Sequence, residues 1–208
     1  MARPGGGAAV GCGLIGLRPR RLVPGGSAHP ALLFARQFLA NPRCVGSLIP
    51  SSQPLVQRML AGVDWSRVDT AVEFGPGTGV ITRAALARLR PDARLIAFEL
   101  DPRFAAYLAE SIADPRLRVL TVSAEAVAAH VPAGCDVALS SLPFSIMPRD
   151  VRGRILAATA ATLRPGGRCN AYQYSPALLP ELRSLFGAVT MRFEPRNWPP
   201  AFVFSASV

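Results

Sequence analysis

From about residue 68 onward, short apolar runs alternate with longer stretches whose apolar positions recur every three or four residues. Runs of the first kind suit strands buried in a sheet, and stretches of the second kind suit helices with one packed face. The pattern predicts strands at about 69–74, 94–99, 117–122, 135–141 and 168–174, with helices around 79–89, 102–113 and 149–163 between them. Repetition of strand, helix and strand predicts a doubly wound α/β fold with a mostly parallel sheet. A further helix at 177–186 and two strands at 188–193 and 201–206 bring the sheet to seven strands and close it with an antiparallel pair. Upstream, Leu32, Leu33, Phe34, Phe38 and Leu39 predict an amphipathic helix ending near Asn41 and Pro42, with Arg36 and Gln37 on another face. A second helix follows, capped by Ser51 or Ser52, with Pro54 in its first turn and Leu55, Val56, Met59 and Leu60 on its apolar side.

Composition narrows the partners. The chain has 208 residues, half of them hydrophobic, enough for one domain with a well-filled core. The net charge is +10 and every basic residue is arginine, so a GC-rich coding bias contributes to it. The distribution says more: Arg3, Arg18, Arg20, Arg21, Arg36, Arg43 and Arg58 precede the first acidic residue, Asp64. Such a segment favours an anionic partner, either a phosphate backbone or an anionic lipid surface. Residues 1–27, rich in Gly, Pro and Arg, are expected to form a disordered tail. Cys12, Cys44, Cys135 and Cys169 have no metal-binding spacing and only His29 and His130 accompany them, so no metal is expected. No run approaches the roughly 20 apolar residues of a membrane-spanning helix.

The candidate chemistry centres on VDTAVEFGPGTGVIT, residues 68–82, a buried strand followed by a glycine-rich turn that opens a helix. Gly75, Gly77 and Gly79 permit positive φ and close approach of backbone to a ligand, and Glu73 stands just before them. Glu99 ends the next strand, where doubly wound folds grip ribose hydroxyls. Glycines at alternate positions depart from the dinucleotide GxGxxG spacing, and no Gly-Lys-Ser/Thr follows to cradle a triphosphate. The pattern resembles the first motif of class I S-adenosylmethionine (AdoMet) methyltransferases. The third strand ends in Ser123-Ala124-Glu125, placed either to bond an adenine amino group or simply to cap a helix. The fourth ends in Ser140-Ser141-Leu142-Pro143-Phe144, where amine-directed methyltransferases carry Asn or Asp, two prolines and an aromatic.

Together with FARQFLANPRCVGSLIPSSQPLVQRM, FELDPRFAAYL, SSLPFSIMP, AYQYSP and RNWPPAFVF, these motifs resemble the short bacterial phospholipid N-methyltransferases, relatives of the ribosomal RNA adenine dimethylases. The resemblance runs from Phe34 to Val208. It implies one methyltransferase domain over 28–208, with residues 28–62 as a helical lid, and AdoMet as cofactor. It implies a cofactor site of Ser47, Ser51, Glu73, Gly75, Gly77, Gly79, Glu99, Leu100, Ala124, Glu125 and Ser140, with Gly46 beside Ser47 in its wall. The amine would meet Ser141, Leu142, Phe144 and Tyr174. Proton acceptance would fall to the carbonyls near Leu142, to the Ser141 hydroxyl or to Tyr174 through water, and the rings of Phe144, Tyr174 and Trp198 would hold the ammonium product. Arg196 would pair with the lipid phosphate. The implied substrate is phosphatidylethanolamine, with ornithine lipids as the near alternative. The implied location is cytoplasmic, at the inner face of the cell membrane on an anionic surface, with no nucleic-acid partner. The main competing reading is adenine dimethylation of ribosomal RNA. Against it stand Ser141 in place of Asn and the lack of a helical C-terminal RNA-binding domain.

Overall fold

Ser52 caps the first of the described helices: its hydroxyl accepts a hydrogen bond from the Leu55 amide at 3.3 Å. A computed structural model describes residues 51–208, and the expectations for Ser47 and for the helix at 30–40 lie outside the described residues. Helix α1, Gln53–Leu60, starts with Pro54 in its first turn, where no amide donor is needed. It turns Leu55, Val56, Met59 and Leu60 inward, each at most 3% exposed. Burial of such side chains contributes roughly 1.5–3 kcal/mol apiece. Within the segment 28–62 expected to form a lid, this helix packs into the core along its whole apolar face. Buried Asn170 fastens its end, donating to the carbonyls of Met59 at 2.7 Å and Ala61 at 3.4 Å.

Strand and helix then alternate: β1 Thr70–Phe74, α2 Val80–Leu86, β2 Arg94–Phe98, α3 Pro102–Ser111, β3 Leu117–Leu120, α4 Val127–His130, β4 Cys135–Ser140, α5 Arg149–Thr162, β5 Leu163–Gln173, α6 Leu179–Leu185, β6 Ala188–Glu194 and β7 Ala201–Ser207. The sheet order is β3-β2-β1-β4-β5-β7-β6. β1 to β5 run parallel, whereas β7 is antiparallel to both β5 and β6. The expected seven-stranded, mostly parallel sheet with a C-terminal antiparallel pair is therefore the observed fold.

Two boundaries differ from expectation. β5 begins at Leu163, not near 168, because the chain passes from α5 straight into the sheet and a bulge opposite Cys135 and Val137 absorbs the Pro-Gly-Gly segment. The short α4 was not foreseen, since four residues are too few to show a helical period. Successive strand residues feed two cores. Val72, Phe74, Phe98 and Ala138 pack under α5 and α6 with Phe204, while Ala71, Leu95, Val137 and Leu139 meet α1 and α2 with Val203. Among the described residues no helix is long and apolar enough to cross a membrane.

Candidate active site

In this topology the ends of β2, β1 and β4 lie side by side, so the three strongest sequence motifs converge. Past β1 the chain turns sharply: Gly75, Gly77 and Gly79 have φ of 66°, 56° and 80°. A side chain at Gly75 would meet Leu142 at 3.0 Å, and one at Gly79 would meet Leu108 at 2.6 Å. Gly77 differs, because a Cβ there would point into open space. Its glycine therefore leaves the backbone bare toward a cradle.

Glu99, only 8% exposed, closes that cradle. One oxygen accepts from the Gly77 amide at 3.3 Å and the other from the Asp101 amide at 3.0 Å. Burial pushes its carboxyl above the usual range, although those backbone donors pull the other way. Asp101 caps α3 through the Arg103 amide at 2.8 Å and pairs with the Arg103 guanidinium at 2.6 Å. Leu100 packs on the Phe74 and Phe98 cluster.

Beneath the turn, Glu73 is wholly buried, and neither carboxylate oxygen has a hydrogen-bond partner within normal geometry. The Thr82 hydroxyl is unpartnered too. Burial pushes Glu73 up to about 7, the nearby Thr82 offsets part of this, and the Glu99 charge adds to it. A buried carboxylate without donors is costly unless a ligand supplies them.

After β4, the Ser141 amide continues the ladder to the Phe74 carbonyl at 3.0 Å, and buried Ser140 accepts from the Leu142 amide at 3.4 Å. Three expectations for this loop change. The Leu142 carbonyl accepts from Gln173 Nε2 and from the Phe144 amide, both at 2.8 Å, so its two lone pairs are used and it is not open to a substrate amine. Phe144 is 1% exposed, with its ring in the core under α5, because the turn after Pro143 folds it inward. Tyr174 is 39% exposed, but partial burial pushes its hydroxyl up to about 12, so it stays protonated. Ser141, half-buried, keeps a hydroxyl with no partner among the described residues.

At β3, the Ser123 hydroxyl caps the turn through the Glu125 amide at 3.3 Å, while the Glu125 carboxylate engages Arg154 at 3.2 Å. Ala124 is buried beside them. Ser51 is half-buried at the entrance to α1.

The β6–β7 connection lies at the same end of the sheet. Glu194, fully buried, accepts from Arg58 Nε at 2.9 Å, Arg196 Nε at 3.0 Å and the Arg196 amide at 3.0 Å. Arg196 and then Arg58 pull its carboxyl down to about 2. Arg196, expected to pair with a lipid phosphate, is thus already paired, though its side chain is 69% exposed. Asn197 accepts from the Ser52 amide at 3.0 Å and donates to the Pro199 carbonyl at 2.7 Å, pinning the loop to α1. Trp198 is 72% exposed.

Gln173, Glu194, Arg58 and Asn197 were not foreseen as part of the site. The only signal for them was polarity inside or beside apolar runs, which does not say what a side chain reaches. Among the described residues no cluster of His, Cys, Asp or Glu could hold a metal.

Comparison with known proteins agrees with this geometry. Residues 71–167 match the family described as "Methyltransferase domain". The chain is 32% identical to the ornithine lipid N-methyltransferase of Singulisphaera acidiphila over 178 residues, covering 81% of this chain and 91% of that protein. It is 35% identical to the ribosomal RNA small subunit methyltransferase A of Nocardia farcinica over 98 residues, but spans 32% of that enzyme's length. In structure it resembles the 1,6-didemethyltoxoflavin-N1-methyltransferase of Burkholderia thailandensis, with a TM-score of 0.63 at 19% identity, covering 88% of this chain and 92% of that one. The chain belongs to the class I AdoMet-dependent methyltransferase family. It is an enzyme whose cofactor is AdoMet.

Proposed function

We propose that the protein methylates the free amine of an aminolipid head group at a membrane surface. The observation that carries this reading is the similarity to an ornithine lipid N-methyltransferase along nearly its whole length, set beside the half-buried Ser141 at the end of β4. The sequence motifs put phosphatidylethanolamine first, but this relative favours ornithine lipid, which keeps one amine and a carboxylate. Either head group offers an anion within reach of an arginine.

The residues present fit AdoMet. Gly77 leaves an open cradle, Glu99 retains acceptor capacity for the ribose diol, and the orphaned carboxylate of Glu73 suits a cationic amino group. Ala124 and Glu125 would border the adenine and Ser140 the cofactor's inner wall. When bound, the cofactor supplies a methyl group on an activated sulfonium, which the amine nitrogen takes in exchange for a thioether. Ser141 accepts a hydrogen bond from the neutral amine and orients its lone pair, and the proton released goes to water. Gln173 holds the Leu142 loop in place without touching substrate. Trp198 and Tyr174 offer ring faces to the methylated ammonium, and the exposed side of Arg196 offers a guanidinium to the head-group anion.

The test offers purified protein and radiolabelled AdoMet to vesicles of ornithine lipid, vesicles of phosphatidylethanolamine and unmodified small ribosomal subunits. Label in ornithine lipid supports the reading, and label in phosphatidylethanolamine alone moves the substrate within it. Label in RNA and in neither lipid overturns it.

A further inference from the structure

The eight large apolar side chains most exposed among the described residues are not scattered evenly. Ile146, 51% exposed, follows β4; Tyr174, 39% exposed, follows β5; Trp198, 72% exposed, precedes β7. Because β4, β5 and β7 are neighbours in the sheet, these three loops form a continuous rim at the end where the glycine turn and Ser141 lie. Phe193, 51% exposed, continues the rim at the end of β6, with its ring 5.1 Å from Phe202.

Beside this rim is an open groove of about 460 Å³ between α1 and β6, lined by Gln53, Gln57, Arg58, Arg192, Glu194 and Arg196 among others. Glu194 pairs with both Arg58 and Arg196 but sets one negative charge against three guanidiniums, and Arg192 has no ion pair among the described residues. The groove therefore carries excess positive charge, and Arg196 in its wall stands two residues before Trp198. Arg58 and Arg196 are paired with Glu194, yet the Arg196 side chain is 69% exposed, so part of the charge is presented outward.

We propose that the rim of Ile146, Tyr174 and Trp198, flanked by Arg192 and Arg196, is the surface by which the protein docks on an anionic lipid bilayer. Aromatic rings with one polar edge settle at the head-group level of bilayers, and arginines beside them are attracted by the negative surface potential. A patch combining both at the mouth of the site would let an amine head group reach Ser141 without leaving the interface. Charge complementarity favours an anionic membrane over a neutral one. The inference rests on the aminolipid reading and names the face that it uses.

The experiment uses Trp198 as its own probe. Trp65 and Trp198 are the two tryptophans of the chain, so the full-length Trp65→Phe variant leaves a single emitter. On vesicles of phosphatidylglycerol with phosphatidylcholine, Trp198 emission should shift to the blue and be quenched by lipids brominated on their acyl chains. On phosphatidylcholine alone both effects should be much smaller. Arg192→Gln should weaken vesicle partitioning about fivefold, the equivalent of one arginine near an anionic surface. Should Trp65→Phe fail to fold, loss of the vesicle-induced shift in Trp198→Phe reads the same contact.

Trp198 emission that stays at its aqueous position while the protein sediments with the vesicles overturns the proposal, since the contact then lies elsewhere. A shift caused by ribosomal RNA and by no vesicle overturns it as well. The substrate reading fails separately, in the labelling assay. Insertion of Trp198 without methylation of any aminolipid keeps the docking face and discards the substrate.

Discussion

Gln173, at the end of β5, donates its side-chain amide to the Leu142 carbonyl at 2.8 Å, and its side-chain oxygen accepts from both the amide and the hydroxyl of Ser145, at 3.1 and 3.0 Å. One buried side chain thus fixes both sides of the loop that presents Ser141. The backbone there forms no regular ladder past Ser141, so this amide stands in for it.

Gln173→Ala should cost about 1–3 kcal/mol of stability, because Leu142 and Ser145 lose buried partners. It should also lower kcat by more than it raises the KM for AdoMet, since the cofactor cradle is built by β1 and β2. Gln173→Glu should be worse, because it places a second acceptor against the Leu142 carbonyl. Chemical denaturation together with steady-state kinetics checks both. Unchanged kcat in a folded Gln173→Ala would remove the residue from any positioning role.

Glu99→Ala removes the carboxylate that bridges the Gly77 and Asp101 amides at the open cradle. Loss of charge-assisted bonds to the ribose diol and loosening of the turn should together weaken AdoMet about a hundredfold, near 3 kcal/mol. Glu99→Gln should fall between the two. Titration calorimetry on the folded variants measures it, and unaltered affinity would place the ribose elsewhere.

The fold was legible because its strands are short apolar runs at regular intervals and its turns carry glycine where φ is positive. The turn at Gly75, Gly77 and Gly79 and the place of Glu99 beside it could be read for the same reason: both follow from backbone position alone. Phe144 and Leu142 were misread because their roles depend on which way a proline-constrained loop turns. A sequence motif does not show that a glutamine thirty-one residues further on occupies a carbonyl. Arg196 was read as free because sequence shows its charge but not the wholly buried Glu194 two residues before it folding back to meet it.

Two buried carboxylates should give the stability curve opposite slopes. Glu73 is raised to about 7, so its contribution is fully present below the unfolded-state pKa and is lost as pH climbs toward 7, up to about 3 kcal/mol. Glu194 is lowered to about 2, so its contribution is present above the unfolded-state pKa and is lost as pH falls toward 2. That second effect should be smaller than its shift suggests, because the Arg196 side chain is largely in water. Glu73→Gln should flatten the decline between about pH 4.5 and 7 in the cofactor-free protein. Glu194→Gln should flatten the acid limb instead. Urea titrations across pH decide the matter; a Glu73→Gln variant with the wild-type slope would show that Glu73 is ionised in the apo protein.

The last prediction concerns how the amine loses its proton. Leu142 has no lone pair to spare and Tyr174 remains protonated, so the described residues offer Ser141 as a hydrogen-bond acceptor and no strong base. An alkyl amine resembles a lysine side chain, with a pKa near 10, so only a small fraction of head groups is neutral at pH 7. If the enzyme selects that fraction, log(kcat/KM) for the lipid should rise with a slope near one from about pH 6 to 9, with no inflection from a protein base. Ser141→Ala should lower the whole line by about tenfold without bending it, the loss of one hydrogen bond to the reacting nitrogen. Its AdoMet affinity should be unchanged. A plateau beginning near neutral pH in the wild type, abolished by replacing a single side chain, would instead identify a general base and displace Ser141 from the centre of the mechanism.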